Sequence, residues 1–239
     1  MSKQKKGKKM IKSKRWNQPK NHILCGENIE LEKEQNEEPA NYEFIQDEKL
    51  FLITLYGDLD EEKAENTINE LYSIKEYCRQ MWEEWNDREE EEEVEEEEEY
   101  EKPVVHLILS TFGGSVHDMF SIYDCMQKLK QYCDISVVGL GKVQSAGVAL
   151  LCAGTKGLRL LGPHCRLMLH PVMFQSFGTV DDVSIEHKET KVMSDLYEKI
   201  LVENTNMTKR QARKYIKKDK NYYFDSEKAI EFGIADRLF

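Results

Sequence analysis

Short apolar runs alternate with helix-period segments along most of the chain. The run at 50–56, closed by Gly57, predicts a buried strand. Asp58 and Asp60 can cap the next helix. From Glu61 onward, Ala64, Ile68, Leu71, Tyr72, Ile74, Cys78, Met81, Trp82 and Trp85 recur at three- and four-residue steps, the pattern of an amphipathic helix. Past Pro103, residues 104–109 predict a second strand, and the turn at 110–114 leads into a helix with Met119, Ile122, Tyr123, Met126 and Leu129 on one face. A third strand is expected at 135–140, then a turn and an apolar helix at 146–152. Two short strands come next, at 158–161 and 166–170, separated by Gly162 and Pro163. A long helix is expected over 181–207 with Val192, Leu196, Ile200 and Leu201 as its seam. Its broad polar faces fit a helix that projects and packs against a partner subunit, although a surface helix of a monomer would carry the same pattern. A last short helix is expected at 226–232.

Strands and helices that alternate at this spacing argue for an α/β fold of βαβ units around a parallel sheet. Length agrees, since 239 residues with 40% hydrophobic side chains allow one domain with a sizeable core plus appendages. The expected domain is 49–239. Residues 1–48 have no sustained hydrophobic period and read as a flexible arm, basic first and then mixed. The acidic stretch at 83–102 reads as a solvated insertion between helix and strand, or as a frayed extension of the helix.

Charge changes this picture only locally. Residues 83–101 hold fourteen Asp or Glu and one Arg, and residues 1–20 hold nine Lys or Arg and no acid. The two opposed low-complexity segments nearly cancel, so the net charge of −11 says little about partners. A basic arm can touch nucleic acid, but a solubilising tail explains it with fewer assumptions, so nucleic acid is not an expected partner. A cation- or basic-partner-binding role for the acidic run is the sharper reading, and a solvated charge run the plainer one. No apolar run approaches transmembrane length, and no signal-like apolar stretch comes after the basic start. The six cysteines (Cys25, Cys78, Cys125, Cys133, Cys152, Cys165) show no CxxC pair and no metal-ligand spacing. A cytoplasmic protein with unpaired thiols, no metal and no cofactor is the expectation.

Two glycine-bearing turns fall at strand ends, where open α/β sheets place their ligands. In Phe112-Gly113-Gly114-Ser115 the glycines allow close backbone approach, and their amides can donate to an anion. The segment is neither GxGxxG nor a Walker A loop, and a tight strand–helix turn also explains it. In Val143-Gln144-Ser145-Ala146-Gly147 a serine opens an apolar helix. Ordinarily such a serine is an N-cap. The functional reading is a nucleophile at a helix N-terminus that favours a developing oxyanion. Val143 fills the first glycine position of GxSxG, which disfavours the α/β-hydrolase elbow. His170, at the end of a strand, is a candidate general base, with a backbone-satisfied histidine as the plain reading. His164 is its nearest rival, while His22, His106, His117 and His187 have weaker contexts. An orienting carboxylate is needed. Asp219, Asp181 and Asp182 are candidates, the last two reading better as helix caps, and chemistry alone does not choose among them.

Taken together, the segments resemble the proteolytic subunit of the Clp protease (ClpP) family, from about residue 50 to 239. Ser110-Thr111-Phe112-Gly113-Gly114 with Ser121-Ile122-Tyr123-Asp124 is similar to that family's Asn-Ser-Pro-Gly-Gly turn and Ser-Ile-Tyr-Asp helix, with Phe112 in place of proline. Gln144-Ser145-Ala146-Gly147, followed by Ala153-Gly154-Thr155-Lys156-Gly157, resembles the nucleophile segment and its trailing Ala-Gly-x-x-Gly. Pro163-His164-Cys165-Arg166-Leu167-Met168-Leu169-His170 resembles the family's histidine strand, and the segment from Ala229 to Asp236 its closing helix and turn.

The resemblance implies the ClpP/crotonase-like spiral of βαβ units with a projecting long helix. It implies a serine endopeptidase with Ser145 as nucleophile, His170 as base and Asp219 as orienting acid. An ungapped register would put Lys217 at the acid position; Asp219 restores Ile-x-x-Asp and resembles shorter phage-type relatives. The amides of Gly114 and Ala146 would form the oxyanion hole, and Gly113, Pro171 and Val172 would hold an extended substrate between the glycine turn and the strand after His170. The resemblance further implies polypeptide substrates, heptameric rings that can stack as a tetradecamer, and an AAA+ Clp ATPase as partner. Three other readings stay open: a capsid-maturation protease of viral origin, a catalytically inactive ring or scaffold, and a crotonase-type acyl-CoA enzyme of the same fold. A Ser/Lys signal-peptide peptidase shares the fold too, but a missing membrane anchor and the presence of His170 argue against it.

Overall fold

The computed structural model describes residues 51–91, 100–217 and 220–239. The basic arm at 1–48, the middle of the acidic run at 92–99 and Asp219 lie outside the described residues. A mostly parallel sheet organises the unit Asp47–Phe239. Strand β1 (Phe51–Tyr56) pairs with β2 (Val104–Thr111), and β2 with β3 (Asp134–Gln144), all in parallel. Strand β4 (Arg159–Leu161) extends the parallel order, followed by the short β7 (Arg237–Leu238). Off this path β5 (Arg166–Leu169) pairs in parallel with the far end of β3, and β6 (Tyr222–Phe224) pairs antiparallel with β5.

Alternation along each strand decides what is buried. Ile53, Leu55, Val105, Leu107, Leu109, Ile135 and Val137 point into the core, whereas Leu52 and Tyr56 on the opposite face are exposed. The core side is covered by helices α1 (Glu61–Glu91), α2 (Val116–Leu129) and α3 (Ala146–Cys152) packed side by side. Ala64, Leu71 and Cys78 of α1 and Met119, Ile122, Met126 and Leu129 of α2 are buried, as their spacing predicts. Each fully buried Leu, Ile or Met among them contributes about 1.5–3 kcal/mol. The helical pattern of α1 does not stop at the acidic run but continues through Glu91.

Several expectations are corrected. Strand β3 does not end at 140; it runs to Gln144 and forks. Val137–Gly139 pair with β4, whereas Lys142–Gln144 pair with β5. Gly139 and Gly141 therefore mark a bend within a strand, not the turn that glycines usually signal: a Cβ on Gly139 would meet Leu161 Cδ2 at 2.6 Å, and Gly141 has φ +63. The long helix α4 is Val180–Asn204, ending before Met207. Thr205 turns extended and its hydroxyl donates to the Leu201 carbonyl at 2.6 Å. Its seam is Tyr197, Ile200 and Leu201, while Val192 and Leu196 are exposed. Beyond it stand elements the hydrophobic pattern did not predict. They are helix α5 (Lys209–Ile216), opened by a Thr208/Gln211 capping box, and strands β6 and β7. Helix α6 is Ser226–Glu231. Finally, β5 stops at Leu169, so His170 lies just past the strand.

The chain terminus is tied to the sheet by one buried arginine. Arg159 Nε donates to Asp236 Oδ2 at 3.0 Å, and its Nη1 donates to the Asn204 carbonyl at 2.8 Å. Asp236 also accepts the amides of Gly157 and Arg159 at 2.7 and 2.9 Å. Burial alone would raise the Asp236 carboxyl's pKa, but the hydrogen bonds and charge of Arg159 hold it below the usual carboxylate range.

Candidate active site

Two adjacent strand ends build the site. Gln144 at the end of β3 lies opposite Met168 of β5, and Ser145 donates its amide to the Met168 carbonyl at 2.8 Å. The ladder thus brings residues 145 and 170 to the same edge of the sheet. Ser145 Oγ lies 2.7 Å from His170 Nε2.

Among the described residues Ser145 is the one non-glycine residue with positive φ (φ 53, ψ −122). A conformation of this kind costs of order 1–3 kcal/mol and persists only when its surroundings hold it. Here they do so at both ends of the residue. Its amide is bound by Met168, and its carbonyl accepts the Val148 amide at 3.0 Å and the Tyr197 hydroxyl at 2.8 Å. Ser145 occupies the N-cap position of α3, yet its hydroxyl makes no cap hydrogen bond. That hydroxyl is directed to His170 instead. Gly147, two residues on, packs against β2: a Cβ there would stand 2.5 Å from Thr111 Cγ2.

The glycine turn is held against the same edge. Gly113 donates to Thr111 Oγ1 at 2.9 Å, Leu59 donates to the Gly113 carbonyl at 2.7 Å, and Ser115 donates to the Leu59 carbonyl at 3.0 Å. In this bridge the amide of Gly114 itself points away from Leu59, as strand alternation dictates. Gly113 (φ 96) leaves no room for a side chain; an ideal Cβ would lie 2.8 Å from the Gln144 carbonyl and 3.1 Å from the Ala146 amide nitrogen. The glycine segment and the Ser145–Ala146 peptide are therefore in backbone contact, and the amides of Ala146 and Gly147, the first two of α3, have no intrahelical acceptor.

A cleft of about 450 Å³ opens over these groups. It is lined by Gly113, Gly114, Ser145, Ala146, His170, Pro171 and Val172, seven of the eight site residues that the sequence points to. Asp219 is the eighth and lies outside the described residues. Phe112, Val116, Met119, Met173 and Tyr197 add apolar surface, and Asp58 a carboxylate. The segment after His170 is a correction: residues 171–177 form no strand.

Burial lowers the His170 pKa below its ordinary value, with a hydrogen bond to the Pro171 backbone, necessarily its carbonyl, acting in the opposite direction. A neutral imidazole that presents Nε2 to a hydroxyl carries its proton on Nδ1 and can accept a second. Among the described residues no carboxylate hydrogen-bonds the ring. Lys217, the residue an ungapped register would offer, is bound to Asp195 at 2.5 Å and to Glu198 at 2.9 Å on α4. Asp182 caps α4, accepting from the Thr179 amide and hydroxyl at 2.9 and 2.7 Å. His164 sits exposed in the turn before β5.

The residue that sequence reasoning missed is Tyr197, buried on α4 with its hydroxyl on the Ser145 carbonyl. The 197, 200, 201, 204 spacing was its signal, masked by equally spaced apolar residues on a neighbouring face. Among the described residues no cluster of His, Cys, Asp or Glu could hold a metal ion, and no helix is long and apolar enough to cross a membrane. The family model described as Clp protease matches residues 94–239, more than half of the chain.

Proposed function

This chain belongs to the Clp protease family, and we propose that it is a serine endopeptidase with Ser145 as nucleophile, His170 as general base and Asp219 as orienting acid. The observation that carries the reading is the 2.7 Å contact between Ser145 Oγ and His170 Nε2 at a strained strand–helix junction. A crotonase-type enzyme would need Ser145 only as a cap, and its hydroxyl makes no cap bond.

The groups in the cleft dictate the chemistry. An extended polypeptide lies between the Gly113–Gly114 turn and residues 171–172, exchanging backbone hydrogen bonds. Ser145 Oγ attacks the scissile carbonyl as His170 Nε2 takes its proton. The carbonyl oxygen, now an anion, receives the amides of Gly114 and Ala146, a contribution on the order of 10²–10³ in rate per donor. His170 returns the proton to the leaving amine, and the acyl group remains on Ser145. Water, activated by the same imidazole, then releases the carboxylic acid and restores the serine. Asp219 keeps the imidazole proton on Nδ1 and stabilises the imidazolium. Ring assembly, delivery of unfolded substrate by an AAA+ ATPase and a cytoplasmic setting belong to the same proposal.

A fluorophosphonate probe tests it. Wild type is expected to label at Ser145, and Ser145→Ala and His170→Ala to lose labelling while remaining folded. A folded, assembled wild type that neither labels nor cleaves a peptide would overturn the proposal.

A further inference from the structure

Tyr197 stands 52 residues from Ser145 in the sequence, yet its hydroxyl donates to the Ser145 carbonyl at 2.8 Å. The side chain is buried, at 4% exposure. It lies on the inward seam of α4 with Ile200 and Leu201. Burial moves its pKa well above the ordinary phenol value, so the hydroxyl stays protonated and remains a donor across the working pH range.

The carbonyl it binds belongs to a special peptide unit. Ser145 C=O and Ala146 N–H are the two ends of one rigid plane. In a trans peptide these groups point in opposite directions. Whatever fixes the carbonyl end therefore fixes the direction of the amide end. The carbonyl already accepts the Val148 amide at 3.0 Å, the first hydrogen bond of α3. Tyr197 is a second donor, and it comes from an element outside the strand–helix junction. Two donors on one oxygen also polarise the unit, which strengthens the N–H as a donor. They hold a residue whose φ of 53 would otherwise relax.

From this geometry we infer that Tyr197 is a positioning residue for the oxyanion-binding amide of Ala146, acting through the Ser145 carbonyl. It touches neither the reacting carbonyl nor the proton in transit. The inference rests on the reading of Ser145 as nucleophile. It adds that α4 contributes to transition-state stabilisation and not only to packing. Loss of the hydroxyl acts on the transition state, because the oxyanion exists only there.

The test is Tyr197→Phe in the full chain, read with a fluorogenic peptide and a peptide aldehyde, whose hemiacetal with Ser145 mimics the tetrahedral species. We expect kcat to fall about tenfold with KM within twofold, and the aldehyde to bind weaker by a similar factor. The acid limb of the pH profile, which reports His170, stays where it is. Ile200→Val serves as a control: it trims the same buried seam without reaching Ser145, so it lowers thermal stability and leaves kcat unchanged. Equal kcat in Tyr197→Phe and wild type overturns the inference. So does a loss of kcat that Ile200→Val reproduces at equal destabilisation. An inactive, unlabelled wild type overturns the peptidase reading itself, whereas an active wild type with an unaffected Tyr197→Phe removes only the role of Tyr197.

Discussion

A Cβ placed on Gly113 would lie 2.6 Å from the Cβ of Ser145. Real Cβ atoms do not approach so closely, and Gly113 also has φ +96, where an alanine is strained. The clash falls on Ser145, itself held at positive φ, and the backbone strain on residue 113. Gly113→Ala is therefore expected to cost about 1–3 kcal/mol in stability. It should also slow fluorophosphonate labelling of Ser145 at least tenfold under conditions where the protein remains folded. Labelling at the wild-type rate would show that the turn yields without disturbing the serine.

Protonation of His170 sets the acid side of the activity profile. Burial lowers its pKa below the ordinary value, which favours the neutral ring that can accept the Ser145 proton. Activity is present above that pKa and disappears as pH falls through it. A carboxylate at Nδ1 would act in the opposite direction and raise the value. Asp219→Asn is thus expected to move the acid limb of kcat/KM to lower pH and to reduce kcat by a factor on the order of 10³–10⁴. An unmoved limb would assign the orienting acid elsewhere.

Arg159 and Asp236 join the sheet to the chain terminus. Arg159 is 4% exposed, and removing one partner leaves a poorly solvated charge. Arg159→Ala should destabilise the fold by roughly 3 kcal/mol, measured by urea titration. Asp236 has a depressed pKa in the folded chain, so its contribution is present above the unfolded carboxylate value. That contribution disappears as pH falls through the folded one. The urea midpoint of wild type should therefore drop at strongly acidic pH more than that of Asp236→Asn. Equal slopes in the two proteins would contradict the assignment.

The cleft beside Ser145 is lined by Val116, Met119, Val172 and Met173. Apolar walls bind an apolar side chain and leave a carboxylate desolvated without a partner. Peptides with Leu or Met before the cleaved bond should exceed those with Asp or Glu in kcat/KM by on the order of tenfold or more. A matched peptide series measures it, and no preference would mean that the substrate side chain sits elsewhere.

Much of this architecture was legible in the chain. Strands β1, β2 and β5 and helices α2 and α3 lie within a residue or two of the positions their patterns predict, because a buried face imposes its period locally. Glycines at 139 and 141 misled, since the bend they permit occurs within a strand whose ladder passes from β4 to β5. Helix α5 is polar on most of its surface, and its capping box, not its hydrophobicity, marks its start. On α4 the exposed Val192 and Leu196 compete with the buried Tyr197, Ile200 and Leu201, and only packing decides between two faces of similar apolar content.

By itself, then, the amino-acid order determined the alternation of strand and helix, the glycine turns at strand ends, and the succession of Ser145 and His170. These are properties of neighbouring residues: periodicity, propensity and turn chemistry act within a few positions. Only the tertiary structure decided that Ser145 gives its hydroxyl to His170 rather than to the helix cap, and that Tyr197 binds the Ser145 carbonyl. Those contacts depend on the register between β3 and β5 and on which face of α4 turns inward. Both are set by hydrogen-bond ladders and burial between segments far apart in the chain, where no local rule reaches.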